Sequence, residues 1–395
     1  MCGVLFQAED GIRDAQESRG LGDVYKIQKQ NGPIVVYGAT GYTGKLIAAE
    51  LAGSGLDFQL AGRNRGKLED LAAHLAIDVP LHAVSVDDEK GLRNLFDGAA
   101  AVIACAGPFY LHGEPVLAAA VGTGTHYLDT TGEQPFMKLA LDYYGPLAEK
   151  TGSAVIPGMG FDYVPGDIIA ALTAEGMGPL DAVRLAYSTN FQMTRGTMLS
   201  ALEMIKGGDL QYTGGKLVPA PQSVSRGKFD FRSLGGIKQM TRYPAGEHLT
   251  VPRHVETRAV ETMLSADSLA PGTLAKLTPL VVRPAALAMR TPLKDLTGKL
   301  VNRLPEGADP ESRAASTFTV ACDAVGGGRA RRGTVVGKDI YGLTAALLVK
   351  GARIAASGGV SAVGGLAPSQ AFDPHTFLED FERFSLNWDV DDLPA

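Results

Sequence analysis

Gly38, Gly41 and Gly44 are the residues whose type and spacing most directly prescribe chemistry in this sequence. They punctuate Gly38-Ala39-Thr40-Gly41-Tyr42-Thr43-Gly44. Before it stands Pro33–Tyr37 (PIVVY), a β-branched apolar run suited to a buried parallel strand. After it comes Lys45–Ala52 (KLIAAELA), helix formers with apolar residues at helical spacing. Strand, glycine turn and helix in that order make a phosphate cradle. Gly38 lets the chain leave the strand sharply. Gly41 lets backbone N–H groups approach a pyrophosphate at the positive end of the helix, and Gly44 lets the helix pack on the strand. A glycine triplet alone is weak evidence; its place between strand and helix points to a dinucleotide. Thr40, Tyr42 and Thr43 complete the loop around that ligand.

The second strand, Phe58–Ala61, runs into Gly62-Arg63-Asn64-Arg65. A site for NAD places Asp or Glu here, about 20 residues after the glycines, to bind the ribose 2′-hydroxyl. This chain has Gly62 and Arg63 instead, with Arg65 and Lys67 close by. Cations without a carboxylate are what a 2′-phosphate requires, so NADP(H) is expected, held by Arg63, Asn64 and Lys67. Arg65 and Lys67 can equally belong to the solvated start of the next helix. Asp87 ends the third strand, where the adenine edge would lie. Cys105, Ala106, Gly107 and Pro108 follow the fourth strand, and strand ends in open α/β sheets face the ligand crevice. Cys105 also reads as a small packing residue.

Proton donors are sought near the nicotinamide end. Tyr110 and His112 follow the fourth strand, and either could protonate an acceptor as hydride arrives; their alternative is to shape the loop. Asp162 lies in GFDYVPGD at 160–167, next to backbone amides that could face the nicotinamide. Asp129 could orient a donor or cap a turn. Tyr212 and Lys216 match the YxxxK spacing of a helical acid pair, but Gly214-Gly215 between them demands a hairpin. His248 and His254 lack a metal-binding helix motif and read as surface or cleft-lining residues. Arg195 and Thr197 open a helix whose start could hold a carboxylate or phosphate, or simply be solvated.

The elements that must position these groups alternate. Helices are expected at Lys67–Leu75, Asp88–Phe96, Glu114–Val121 and Tyr143–Thr151. Strands are expected at Leu81–Val86, Ala100–Ala106, His126–Leu128 and Ala154–Pro157. This is an α/β Rossmann-type, doubly wound parallel sheet over 32–178. From Leu180 the pattern changes. Asp181–Thr189 alternates as a strand, and Thr194–Ile205 reads as a helix with Thr194 as N-cap. Arg313–Ala321 and Arg329–Val336 flank Gly326-Gly327-Gly328 as a hairpin. A second α+β domain over 179–339, with a mixed, largely antiparallel sheet, is expected, followed by a long apolar helix at Tyr341–Ala355.

Several segments in order resemble a known family: GATGYTG at 38–44, AGRN at 61–64, CAGPFYLHGEPV at 105–116, GTHYLDTTGE at 124–133 and GFDYVPGD at 160–167. VPRH at 251–254, GLTAALL at 342–348 and LAPSQAFDP at 366–374 also fit. The chain is similar to the saccharopine dehydrogenase-like oxidoreductases, most of all to the bacterial branch that includes trans-acting enoyl reductases. The resemblance implies NADP(H) and hydride transfer to or from a C=C, C=N or C=O carbon, without implying saccharopine as substrate. An enoyl or imine acceptor is favoured, and the Gly-rich second domain permits a small-molecule or acyl substrate. It also implies that residues 340–395 return to the dinucleotide domain, and that the second sheet forms a cleft wall and a homodimer surface. A reading of another class is a non-catalytic NADP(H)-binding sensor or lipid-associated scaffold.

Composition bounds the rest. The chain has 395 residues, 45% of them hydrophobic, which excludes disorder as a whole. A net charge of −6 without a long basic run argues against nucleic acid as a partner. Cys2, Cys105 and Cys322 form no CxxC, which fits a reducing cytoplasm and argues against a metal site. Ile354–Phe372 is the nearest approach to a membrane span, but its glycines and Pro368 mark it as a loop-containing soluble segment. Residues 1–31 are polar and charge-rich, without caps or periodicity. Val4–Gln28 resembles the translation of a sequencing adapter, so this stretch is expected to be an artefact fused to a truncated gene, or else a natural disordered tail.

Overall fold

The computed structural model describes residues 32–190, 193–199, 209–221, 226–269 and 306–393. The expectation for residues 1–31 lies outside them, as does most of the helix expected over Thr194–Ile205, of which 195–199 is helical.

The dinucleotide half alternates as the sequence demands: β1 (Ile34–Tyr37), α1 (Tyr42–Ala52), β2 (Phe58–Gly62), α2 (Arg65–Leu75), β3 (Leu81–Ala83), α3 (Glu89–Phe96), β4 (Ala101–Ala104), α4 (Phe109–Gly122) and β5 (His126–Asp129). Then come α5 (Gln134–Leu139), α6 (Gly145–Thr151), β6 (Ala154–Ile156) and α7 (Val164–Ala174). The strands pair in parallel, with β1 between β2 and β4. Strand order therefore reverses beside β1, the place where an open α/β sheet leaves its ligand crevice. All four residues of β1 are buried. Ile34 and Val36 face one apolar layer, with Ile47 and Leu51 of α1, while Val35 and Tyr37 face the other, with Phe96 and Leu117. Helices cover both faces, so the strand must be apolar throughout.

Several boundaries differ from expectation: the strand expected at Leu81–Val86 ends at Ala83, and the one expected at Arg313–Ala321 runs over Thr317–Gly326, with Arg313 in the short helix Pro310–Ala314 that Asp309 caps. Helix α4 starts five residues before Glu114, because the stretch from Phe109 to Gly113 reads as a loop after the fourth strand. A Cβ at Gly113 would lie 2.6 Å from the Phe136 ring, so the glycine serves packing rather than a turn. The helix expected at Tyr143–Thr151 is α6, and it is preceded by an unforeseen α5 that runs into it through the π-helical turn Ala140–Tyr144. Helix α7 begins inside GFDYVPGD, with Pro165 in its first turn, where a missing N–H costs nothing.

The second sheet comprises β7 (Ala182–Thr189), β8 (Leu210–Thr213), β9 (Lys216–Pro219), β10 (Arg226–Asp230), β11 (Ile237–Arg242), β12 (Ala259–Ser265), β13 (Thr317–Gly326), β14 (Arg329–Lys338) and β16 (Asn387–Asp392). It is mixed and mostly antiparallel, only β12 and β7 running parallel within it. Strands β8 and β9 form the expected hairpin, Thr213 opposite Lys216, so Tyr212 and Lys216 are not on one helical face. The long helix α8 (Ile340–Ala356) and the two-residue β15 (Gly364–Gly365) do return to the dinucleotide domain, β15 pairing with β6. The last strand does not. Residues 387–392 pair with β14, so the expected return of 340–395 stops short of the chain's end.

A buried polar knot ties the two halves. Asp167 in the first turn of α7 is fully buried. Its Oδ2 meets His254 Nε2 at 2.9 Å, and its Oδ1 accepts from the Ser369 N–H (2.8 Å) and hydroxyl (2.6 Å). Gln370 Nε2 donates to the Arg253 carbonyl at 3.1 Å. Three of the quoted motifs, GFDYVPGD, VPRH and LAPSQAFDP, meet in this one place. Burial pushes the Asp167 carboxyl up, but His254, Ser369 and Thr250 outweigh it and hold it below the usual range. Its stabilising contribution is therefore present above about pH 4 and lost as pH falls through its depressed folded value. Asp167→Ala should cost about 3 kcal/mol, as expected when one partner of a buried pair is removed. Chemical denaturation at pH 7 checks this, and a cost under about 1 kcal/mol would contradict the role.

Candidate active site

The crevice at the carboxyl edge is built from the backbone first. Gly38 takes φ +85°, and a Cβ there would lie 2.8 Å from the Ala106 nitrogen and 2.9 Å from the Cys105 carbonyl carbon. A Cβ on Gly44 would lie 2.4 Å from the Gly38 carbonyl oxygen. Only glycine admits both the turn and the approach of α1. Gly41 is exposed, with nothing nearer a Cβ than the Gly38 oxygen at 3.4 Å.

Helix starts along this edge differ in charge demand. Asn64 Oδ1 accepts from the Lys67 N–H and closes α2, and Asp88 closes α3 in the same way. The buried Glu133 carboxylate accepts from the N–H groups of Phe109 (2.9 Å) and Tyr110 (2.8 Å) and closes α4. The start of α1, at Gly41, has no side-chain cap. Among the helices following β1 to β4, it is the one whose positive end no side chain of the described residues closes. These residues fit a dinucleotide pyrophosphate.

The remaining cofactor candidates divide. Thr40 and Thr43 are half-buried in the loop. Tyr42 turns towards the second domain, donating to the Ala308 carbonyl at 2.8 Å and packing edge-on against Tyr341 at 5.2 Å. Arg63 and Lys67 are exposed at the end of β2 and the start of α2, and Arg63 makes no ion pair among the described residues. Arg65 is occupied by Glu69 (2.8 Å) and the Leu81 carbonyl (2.7 Å). Asn64 is spent on capping α2. Asp87 is exposed, and it and Arg63 both act on the Tyr37 phenol, whose pKa burial pushes up to about 12. On the other side of β1, Cys105, Ala106 and Pro108 are half-buried and Gly107 is exposed. Burial pushes the Cys105 thiol up, so it is a neutral wall and not a nucleophile.

The proton-donor candidates separate clearly. Tyr110 is 64% exposed, and His112 is exposed on the same first turns of α4. Asp162 lies among titratable groups at the domain junction. Burial raises its carboxyl to about 6. The phenols of Tyr163, Tyr187, Tyr243 and Tyr341 are all close enough to feel its charge. Beneath it, the fully buried Glu247 carboxyl is hydrogen-bonded to the Tyr187 hydroxyl. A Cβ on Gly166 would fall on this pair, which explains the glycine of VPGD. Asp129 accepts from the Thr131 and Gly158 N–H groups (2.9 and 2.8 Å) and braces the loops that carry Glu133 and Gly158; burial raises it to about 7. His248, held by the Tyr212 N–H and the Thr262 hydroxyl, is buried and neutral.

Sequence reasoning missed Glu133, Tyr187 and Glu247. Glu247 adjoins His248, which was noticed, but one carboxylate in a short helix carries no period or motif. A separate cavity of about 460 Å³, lined by Pro33, Gln59, His82 and Gly98 among others, lies at the amino edge of the sheet, away from these groups. Among the described residues no cluster of three or more His, Cys, Asp or Glu is placed to hold a metal ion, and no helix is long and apolar enough to cross a membrane.

Comparison with known proteins agrees with this geometry. Residues 34–156 match the saccharopine dehydrogenase NADP binding domain. A trans-acting enoyl reductase of Mycobacterium bovis is 30% identical over 224 residues, 53% of each chain. One of Mycobacterium leprae is 38% identical over 145 residues, 35% of each chain. The chain thus spans about half or less of the length of these curated relatives. The apo saccharopine dehydrogenase (L-Glu forming) of Saccharomyces cerevisiae shares the fold at a TM-score of 0.60 and 12% identity, over 92% of this chain and 100% of that one. The dinucleotide half accordingly binds a nicotinamide dinucleotide.

The buried Glu247 carboxyl makes the site sensitive to pH. Burial lifts it from 4.5 to about 8. A raised acid stabilises the fold below its unfolded value and loses that contribution as pH rises through its folded value. Wild-type protein should therefore lose melting temperature between pH 5 and 8, and Glu247→Gln should flatten that slope. An unchanged slope would contradict the assignment.

Proposed function

We propose that this chain, a saccharopine dehydrogenase-like protein, is an NADP(H)-dependent oxidoreductase that moves hydride to or from an sp² carbon. An enoyl C=C is the first acceptor to test, and imine and carbonyl carbons follow. The observation that carries the reading is the exposed Arg63 at the end of β2, which makes no ion pair among the described residues and follows a strand end without a carboxylate, beside the uncapped start of α1. A carboxylate there would repel a 2′-phosphate, and an unpaired guanidinium suits it. The enoyl preference rests on the names of the mycobacterial relatives, which this chain matches over about half of their length.

The bound dinucleotide supplies the hydride. The protein does the remaining work. Gly38, Gly41 and Gly44 and the start of α1 bind the pyrophosphate, and Arg63, with Lys67 beside it, binds the 2′-phosphate. Cys105, Ala106, Gly107 and Pro108 form the wall beside the nicotinamide half. Asp162 holds the proton that must reach the acceptor as hydride arrives, because burial keeps part of its population protonated near neutral pH. Tyr110 and His112, exposed on α4, are set to line the mouth of the crevice rather than to deliver that proton.

Two measurements test this. NADPH and NADH titrations on wild-type and Arg63→Ala protein should show NADPH binding weakened at least 10-fold, about 1.4 kcal/mol, with NADH little changed. Failure of wild-type protein to bind either nucleotide would sink the assignment. For the reaction, Asp162→Asn should lower the rate about 100-fold. Wild-type reduction should fall as pH rises through about 6, and the variant should lack that limb. Tight NADPH binding with no turnover of enoyl, imine or carbonyl acceptors would favour the sensor reading instead.

A further inference from the structure

Beside the open start of α1, two cations share one carboxylate. Lys45 Nζ, on α1 just past the glycine loop, meets Glu306 Oε2 at 2.7 Å. Arg195 Nη2, from the second domain, lies 3.5 Å from Glu306 Oε1, and its backbone N–H donates to the Glu306 carbonyl at 3.0 Å. Lys67, at the start of α2, also acts on this carboxylate, which its cations hold below the usual range. The chain around Glu306 is pinned separately. A Cβ on Gly307 would lie 2.6 Å from the Tyr42 ring, and Tyr42 donates to the Ala308 carbonyl. The carboxylate itself is not locked. The side chains of Glu306, Lys45 and Arg195 are 37%, 46% and 31% exposed, and pairs so exposed to water are weak.

We propose that Lys45 and Arg195 are phosphate ligands of the dinucleotide, and that Glu306 is the resident anion that holds their place and gives way when the phosphate arrives. The inference rests on the dinucleotide reading above. Cations drawn from α1 and from the second domain, beside a helix start that no side chain among the described residues caps, form a binding set for a group more highly charged than one carboxylate. Exchange is favoured because a phosphate brings more negative charge to the same cations. The backbone clasp on Tyr42 survives the exchange, so the second domain stays docked on the glycine loop.

The test is equilibrium binding of NADPH and NADH, by nucleotide fluorescence, to wild-type protein and to Glu306→Gln, Lys45→Gln and the double variant, at low salt and at about 0.5 M salt. Glu306→Gln should tighten binding about 3-fold or more at low salt, and the gain should shrink at high salt as screening grows. Lys45→Gln should weaken binding and remove most of the gain in the double variant, since the two side chains act on one another. An equal gain for both nucleotides identifies the phosphate as the pyrophosphate. A gain confined to NADPH identifies it as the 2′-phosphate; either supports the exchange. Unchanged or weaker binding by Glu306→Gln, with wild-type binding intact and Arg63→Ala weakened, overturns the exchange and leaves the cofactor assignment standing. No binding by wild-type protein overturns both. Thermal melting of each variant without nucleotide shows whether a loss is one of folding.

Discussion

The structure depends on one backbone contact. Where β1 ends, Gly38 passes so close to Cys105 and Ala106 that no side chain could stand between them, and Gly44 brings α1 down onto the Gly38 carbonyl. That crossing fixes where α1 begins, and the positive end of α1 decides where a phosphate can sit. It also aligns the ends of β1 and β4, so the loops after them become opposite walls of a crevice. The second domain is then oriented by what touches this corner: Ala308 against Tyr42, and Glu306 against Lys45.

Charge is distributed with similar economy. Asn64, Asp88 and Glu133 satisfy the starts of α2, α3 and α4 from within the protein. A dinucleotide therefore meets one helix start that wants an anion rather than four that compete. At the domain junction the logic reverses. The half-buried Asp162 and the fully buried Glu247 lie among phenols, and desolvation raises both carboxyls. Asp167, a few residues after Asp162, is fully buried but faces His254 and Ser369, and its carboxyl is held low. Three acids near one helix start thus differ in charge because their partners differ: burial raises two of them, and hydrogen-bonding partners hold the third low.

Much of the fold was legible because local signals agreed. PIVVY, the glycine triplet and KLIAAELA each specify their own element, and the alternation of apolar runs with helical segments carries the parallel sheet. The hairpin reading of Tyr212–Lys216 held because two glycines outweigh a spacing match. Signals that misled were those where a residue type had a tertiary purpose. Gly113 lies in a stretch that reads as loop, yet it makes room for Phe136 within α4. The last strand, NWDVDD, carries mostly polar residues because it lies at the edge of the second sheet, where one flank of its backbone needs no partner.

The sequence by itself determined the strand–glycine–helix cradle, the absence of a carboxylate after β2 and the division into a parallel and a largely antiparallel sheet. These follow from steric freedom, charge and periodicity, which act over a few residues. Tertiary structure alone decided which acids keep their protons, which helix starts are already satisfied, and which motifs meet. GFDYVPGD, VPRH and LAPSQAFDP stand up to about 200 residues apart and share one buried carboxylate. The physical reason is range. Desolvation and hydrogen bonding depend on neighbours in space, and nothing in the local pattern around Asp162, Asp167 or Glu247 records who those neighbours are.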